Sequence, residues 1–263
     1  IFARLPTFIS YILSRTHVGI NEKLEDSYQI LADVLDLKDS PACKAGETCA
    51  FDDYDTQIIL KKGEEPAMKG SLKLVNSASD AFILQYYEET DARKASFGHE
   101  ISNSDWEKIA RVKDVYGDVL FTAPIVAYNV AHPLLVYIND ELNSEARKFT
   151  FLCGHDSNIA SVNAALEVED YELPNSIEKK TPIGCKLVFE KWLDKEGNEF
   201  ISVNLVYQST EQLRNLEMLD KENSPMVYQL QLKGLDLNSD GLYSFKDVCT
   251  RFEKAITAYD DIK

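Results

Sequence analysis

Apolar residues recur at helical spacing through the first half of the chain and gather into strand-length runs in the second. In NEKLEDSYQILADVLDL, Leu24, Tyr28, Leu31 and Leu35 share one face. SDWEKIARVKDVY does the same with Trp106, Ile109, Ala110 and Tyr116, behind a Ser104 or Asp105 cap. Lys113 interrupts that second stripe. SASDAFILQYYEET predicts a third helix, and PIVAYNVAHPLLVYINDEL a fourth that begins at Pro124 and is kinked near Pro133. Residues 37–73 mix Pro, Gly and charge with weak periodicity, which predicts loops and short strands.

After residue 147 the period changes. CKLVFEKWL and FISVNLVYQ flank DKEGN as a hairpin, and MVYQLQL alternates with period two. KFTFLC is apolar almost throughout, which predicts a central strand covered on both faces by helices. The class is therefore α/β.

Composition narrows the partners. The 28 basic against 44 acidic residues leave a net charge of −16, which disfavours nucleic acid, and no stretch is apolar for long enough to span a membrane. The opening IFARLPTFISYIL is interrupted by Arg4 and Pro6 and is a poor signal peptide. Five cysteines are too few for a disulfide scaffold. Cys43 and Cys49, six apart in PACKAGETCAF, are either a local bridge or two unrelated thiols; Cys153 and Cys185 read as buried small side chains, and Cys249 has no evident partner.

The candidate chemistry lies where KFTFLC ends. Gly154, His155 and Asp156 precede SNIASVNAAL, helical by the spacing of Ile159, Val162 and Leu166. His155 and Asp156 thus fall at the carboxyl end of a strand and beside a helix amino terminus, where ligands bind in open α/β sheets and where N–H groups attract anions. Asp156 could donate a proton there if burial or a bound anion raised its pKa. Alternatively it is a helix cap, with His155 hydrogen-bonded in the core.

GHDSNIA, TPIGCKLVFEKW (181–192) and VYQSTEQLRN (206–215) resemble the carboxyl-terminal half of the histidine acid phosphatases, in the bacterial glucose-1-phosphatase and phytase branch. SDAFILQYYE, LFTAPIVAYNVAHPL and the SPACKAGETC loop extend the resemblance over most of the chain. It implies a phosphoglycerate-mutase-like α/β/α sandwich, incomplete on its N-terminal side, with residues 1–118 as a mainly helical inserted domain and 119–263 as the α/β domain. It also implies hydrolysis of phosphomonoesters such as glucose 1-phosphate or phytate through a phosphohistidine, with His155 as phosphate ligand, Asp156 as proton donor and Glu65 lining the substrate pocket. No cofactor or metal is expected; a periplasmic or secreted location follows from the resemblance and the Cys43–Cys49 loop.

One departure stands out. The family's nucleophile lies in an Arg-His-Gly-x-Arg-x-Pro motif, and this sequence contains no Arg-His dipeptide; in SRTHVG, Thr16 separates Arg15 from His17. His17 reads as a loop residue before an Asn21 cap, and His99 and His132 as ordinary surface or helix histidines. The seven arginines, at 4, 15, 93, 111, 147, 214 and 251, do not cluster near His155 in sequence. The chain alone is therefore expected to be inactive and to need an N-terminal segment of the same protein as its partner. The rival reading is a noncatalytic anion- or sugar-phosphate-binding protein on the same fold, which a start codon without an upstream Arg-His-Gly motif would favour.

DLNSDGLYSFKD matches a calcium loop at Asp236, Asn238, Asp240 and Gly241, with Asp247 where a bidentate Glu is usual. The competing reading is an Asp-Gly turn joining a strand to the last helix. By the resemblance, Leu235 and Tyr243 stand where related phosphatases often carry a loop-closing disulfide.

Overall fold

Two buried cores organise the chain, each built around long helices. The computed structural model describes residues 19–59 and 66–262. The expected α/β class holds: helices surround a four-stranded sheet, and a small two-stranded sheet lies apart from it.

The first core gathers α1 (Gly19–Lys23), α2 (Glu25–Val34), α4 (Ser71–Glu88) and α6 (Asn103–Phe121) around Leu24, Leu31, Leu72, Phe82, Trp106 and Ile109. Trp106 stacks on Tyr86, with ring centroids 4.0 Å apart. Asn21 lies within α1 rather than capping it, and its Oδ1 accepts from the Tyr28 hydroxyl. The cap of α6 is Ser102, two residues before Ser104 and three before Asp105, because its Oγ reaches the Asp105 N–H. α4 starts six residues before SASD, since Ser71, Leu72 and Val75 already belong to its buried face.

Between α2 and α4 lie the antiparallel pair β1 (Gln57–Ile59) and β2 (Ala67–Lys69), in keeping with the expected short strands, and a 3₁₀ turn (Leu37–Asp39) and α3 (Pro41–Lys44), which the weak periodicity does not predict. Cys43 and Cys49 form a disulfide beside α3. The short α5 (Ala92–Ala95) follows α4.

The second core packs α7 (Pro124–Leu142), α8 (Asp156–Ala165) and α10 (Phe245–Asp260) against the larger sheet. β3 (Lys186–Leu193) and β4 (Glu199–Tyr207) form the expected hairpin, and the DKEGN turn is closed by Asn198 donating to Asp194. On its other side β4 pairs with β5 (Met226–Gln229) and β6 (Tyr243–Ser244), all antiparallel. Ile201 to Leu205 of β4 are buried on both faces, so this strand is the sheet's centre. The short α9 (Thr210–Arg214) follows it.

KFTFLC does not form the expected central strand. Residues 148–155 have no regular structure, Phe149 and Phe151 are 81% and 65% exposed, and Cys153 is exposed rather than buried. Strand formation depends on cross-strand neighbours more than on intrinsic preference, and among the described residues none pairs with this segment. Cys185 is only partly buried, just before β3. α7 continues through Pro133, and α6 and α7 meet at an 87° bend where Pro124 starts a new helix.

Candidate active site

Gly154, His155 and Asp156 lead into α8. His155 is the N-cap in extended backbone, and its N–H donates to Asn158 Oδ1 at 2.8 Å. A Cβ on residue 154 would stand 3.0 Å from that same oxygen, so glycine leaves room for the Asn158 side chain to reach back over the helix start. Asn158 therefore does the capping, and both His155 and Asp156 are left exposed at a helix N-terminus.

Asp156 is held from two sides. Its Oδ1 accepts the Ser157 N–H at 2.8 Å, and its Oδ2 lies 3.5 Å from the Lys113 ammonium. Lys113 projects from the middle of α6, and Nζ also donates to Glu178 Oε1 at 2.6 Å. The Glu178 side chain is 1% exposed; its Oε2 accepts from the Tyr87 hydroxyl at 2.9 Å and the Ile183 N–H at 3.0 Å. Burial pulls the Lys113 pKa down, but Glu178, Asp156 and Asp80 outweigh it and hold the ammonium above its ordinary value. Burial and Glu178 together push the Tyr87 hydroxyl up. The Cys185 thiol is pushed up to about 12 by burial first and Glu178 second, and so is no nucleophile at neutral pH.

Lys113, His155, Asp156 and Ser157 border a cavity of about 1030 Å³ between α6, α8 and the segment 167–181. Its wall carries Asp80, Asp114, Asp118, Glu169 and Asp170 against Lys113, Lys180 and Lys233. Asp114 accepts the Lys179 N–H at 3.1 Å, and burial, reinforced by Glu178, raises its pKa to about 7. Asn163 donates to the Tyr171 hydroxyl at 3.3 Å, while its buried Oδ1 has no partner among the described residues. No described arginine lines the cavity: Arg147 pairs with Glu141, Arg214 grips carbonyls of α4 and its following turn, and Arg251 pairs with Glu167.

A scan against family models matches residues 52–208, more than half of the chain, to "Histidine phosphatase superfamily (branch 2)". The chain belongs to that superfamily. It is 40% identical over 238 residues to a glucose-1-phosphatase of Providencia rettgeri, covering 89% of this chain and 57% of that protein. A glucose-1-phosphatase of Salmonella typhimurium is 39% identical over 222 residues, covering 83% and 54%. Among solved structures, the phytase of Citrobacter braakii superposes with a TM-score of 0.84 at 23% identity, covering 95% of this chain and 65% of that one, a likeness of fold. The chain thus spans little more than half the length of the known relatives it matches.

The structure brings His155 and Asp156 to one cavity mouth. Glu65 and His17 lie outside the described residues. His99 lies 3.5 Å from Asp36, and the His132 ring stacks on Tyr259; neither lines this cavity. Sequence reasoning missed Glu178, Tyr87 and Asp114 altogether. Lys113 did leave a signal, as the break in an apolar stripe. The 236–247 loop is a turn: Asn238 Oδ1 accepts from the N–H groups of Asp240 and Leu242, and among the described residues no cluster suited to a metal occurs.

Proposed function

We propose that this chain supplies the proton-donor half of a histidine phosphatase that hydrolyses phosphomonoesters, with a compact sugar phosphate such as glucose 1-phosphate as substrate. The observation that carries this reading is the placement of Asp156, half exposed at the mouth of a large cavity and fixed through both carboxylate oxygens. A fixed carboxyl beside a helix N-terminus meets two needs of phosphate ester cleavage, an electropositive seat for the phosphoryl oxygens and a proton for the leaving oxygen. His155, at the N-cap, is the phosphate ligand in this reading. The attacking imidazole lies outside the described residues, and the sequence holds no Arg-His pair.

The cavity wall favours a neutral, hydroxyl-rich leaving group over an inositol polyphosphate. Asp80, exposed on the wall beside Lys113, offers a carboxylate to hydroxyl groups and repels further phosphates. Work outside the cytoplasm, in the periplasm or medium, accords with the Cys43–Cys49 disulfide. Steady-state assays of the intact protein test the reading: glucose 1-phosphate should give a higher kcat/KM than phytate. Asp156→Asn should lower kcat on glucose 1-phosphate by about 10²–10⁴-fold. Unchanged turnover in that variant would remove Asp156 from the reaction.

A further inference from the structure

Lys113 is costly where it stands, since an ammonium on the buried side of α6 gives up solvation and spoils an apolar stripe. Its surroundings fix it. Glu178 is itself locked by Tyr87 and the Ile183 N–H, so the Lys113 ammonium cannot follow Asp156 if that side chain moves. The result is a rigid donor aimed at one oxygen of a carboxyl whose other oxygen is taken by the Ser157 N–H.

We propose that Lys113, anchored by Glu178, is a positioning residue that orients the Asp156 proton and stabilises the carboxylate left behind when that proton departs. This inference rests on the reading of Asp156 as proton donor. An ammonium has donors and no acceptor, so it cannot receive the Asp156 O–H. With Oδ1 engaged by Ser157, the proton resides on Oδ2 and turns away from α6. In the first step the phosphoryl group passes to the attacking imidazole and the P–O electron pair stays with the leaving oxygen. That oxygen takes the proton from Asp156. Negative charge appears on Oδ2 opposite a preformed cation, the arrangement that stabilises a developing charge without reorganisation. In the second step water attacks the phosphorus of the phosphohistidine and gives its proton to Asp156, the P–N bond breaks with its electron pair returning to the imidazole, and inorganic phosphate leaves. Asp80 and Asp114 also border Lys113, yet its Nζ is within ion-pair range of Glu178 and Asp156 alone among the described carboxylates.

The test compares two substrates in the intact protein. p-Nitrophenolate leaves with little help from an acid, whereas the alkoxide of glycerol 2-phosphate needs one. Lys113→Met should lower kcat/KM on glycerol 2-phosphate by about 10–100-fold and on p-nitrophenyl phosphate by less than about threefold, a fraction of the effect of losing the acid itself. Lys113→Arg should recover most of the loss. Lys113→Met strands the buried Glu178, so Lys113→Gln/Glu178→Gln serves where the single variant does not fold, with the same split expected. Equal loss on both substrates, or none, while Asp156→Asn retains the split, would overturn the role of Lys113 and leave the proton donor standing. Absence of the split in Asp156→Asn itself would overturn both.

Discussion

The stretch 154–158 and the loop 236–247 both set glycine and acidic residues at the start of a helix, and they end differently. In the loop, Asn238 accepts two N–H groups of its own turn, Ser244 caps α10, and the Tyr243 hydroxyl bridges Leu230 and Leu232, so the turn is held by local backbone and side-chain bonds. At 154–158 the capping is delegated to Asn158, and Asp156 is met by Lys113, forty-three residues earlier in the chain on α6. A motif that closes on itself is a structural turn. One that leaves its acid to a partner from another element, at a cavity, is the place proposed for the chemistry.

The largest effect expected from breaking this contrast lies under the site. Glu178→Ala leaves Lys113, the Tyr87 hydroxyl and the Ile183 N–H without their shared acceptor. Breaking a buried ion pair should cost about 3–5 kcal/mol in urea denaturation. On the other side, Tyr243→Phe strands a buried carbonyl and a buried N–H and should cost about 1–3 kcal/mol in the same experiment.

Asp114 gives a smaller, pH-dependent effect. Burial raises its pKa to about 7, so the folded chain keeps a proton that the unfolded chain releases near the ordinary carboxylate value. Its contribution is fully present below that value and is lost as pH rises through 7. Stability should therefore fall from acid to neutral pH through this group, and Asp114→Asn should flatten that slope. The smallest effect tests the loop again. Calcium or chelator should leave the thermal midpoint unmoved, because no ligand cluster forms among the described residues.

Much of this was legible in sequence where the determinants are local. Periodicity marked α2, α4, α6 and α7, DKEGN marked the hairpin, and the spacing of Cys43 and Cys49 admitted the bridge that forms. KFTFLC misled because a strand is defined by its neighbours, and cap positions slipped because several Ser and Asp residues near one helix start compete for the same N–H groups. The site was half legible. His155 and Asp156 stand in a recognisable motif, but NSIEKKTP carries no mark that Glu178 is buried beneath Lys113. That pairing spans sixty-five residues and exists only once α6 and the 167–181 segment pack together.

The central claim, a proton delivered from Asp156 to the leaving oxygen, is tested most directly by the dependence of kcat/KM, which reports the phosphoryl-transfer step alone, on leaving-group acidity across a series of aryl and alkyl phosphates. The intact protein should show a shallow dependence and Asp156→Asn a steep one, the two lines converging for the most acidic leaving groups. Parallel lines would contradict the account.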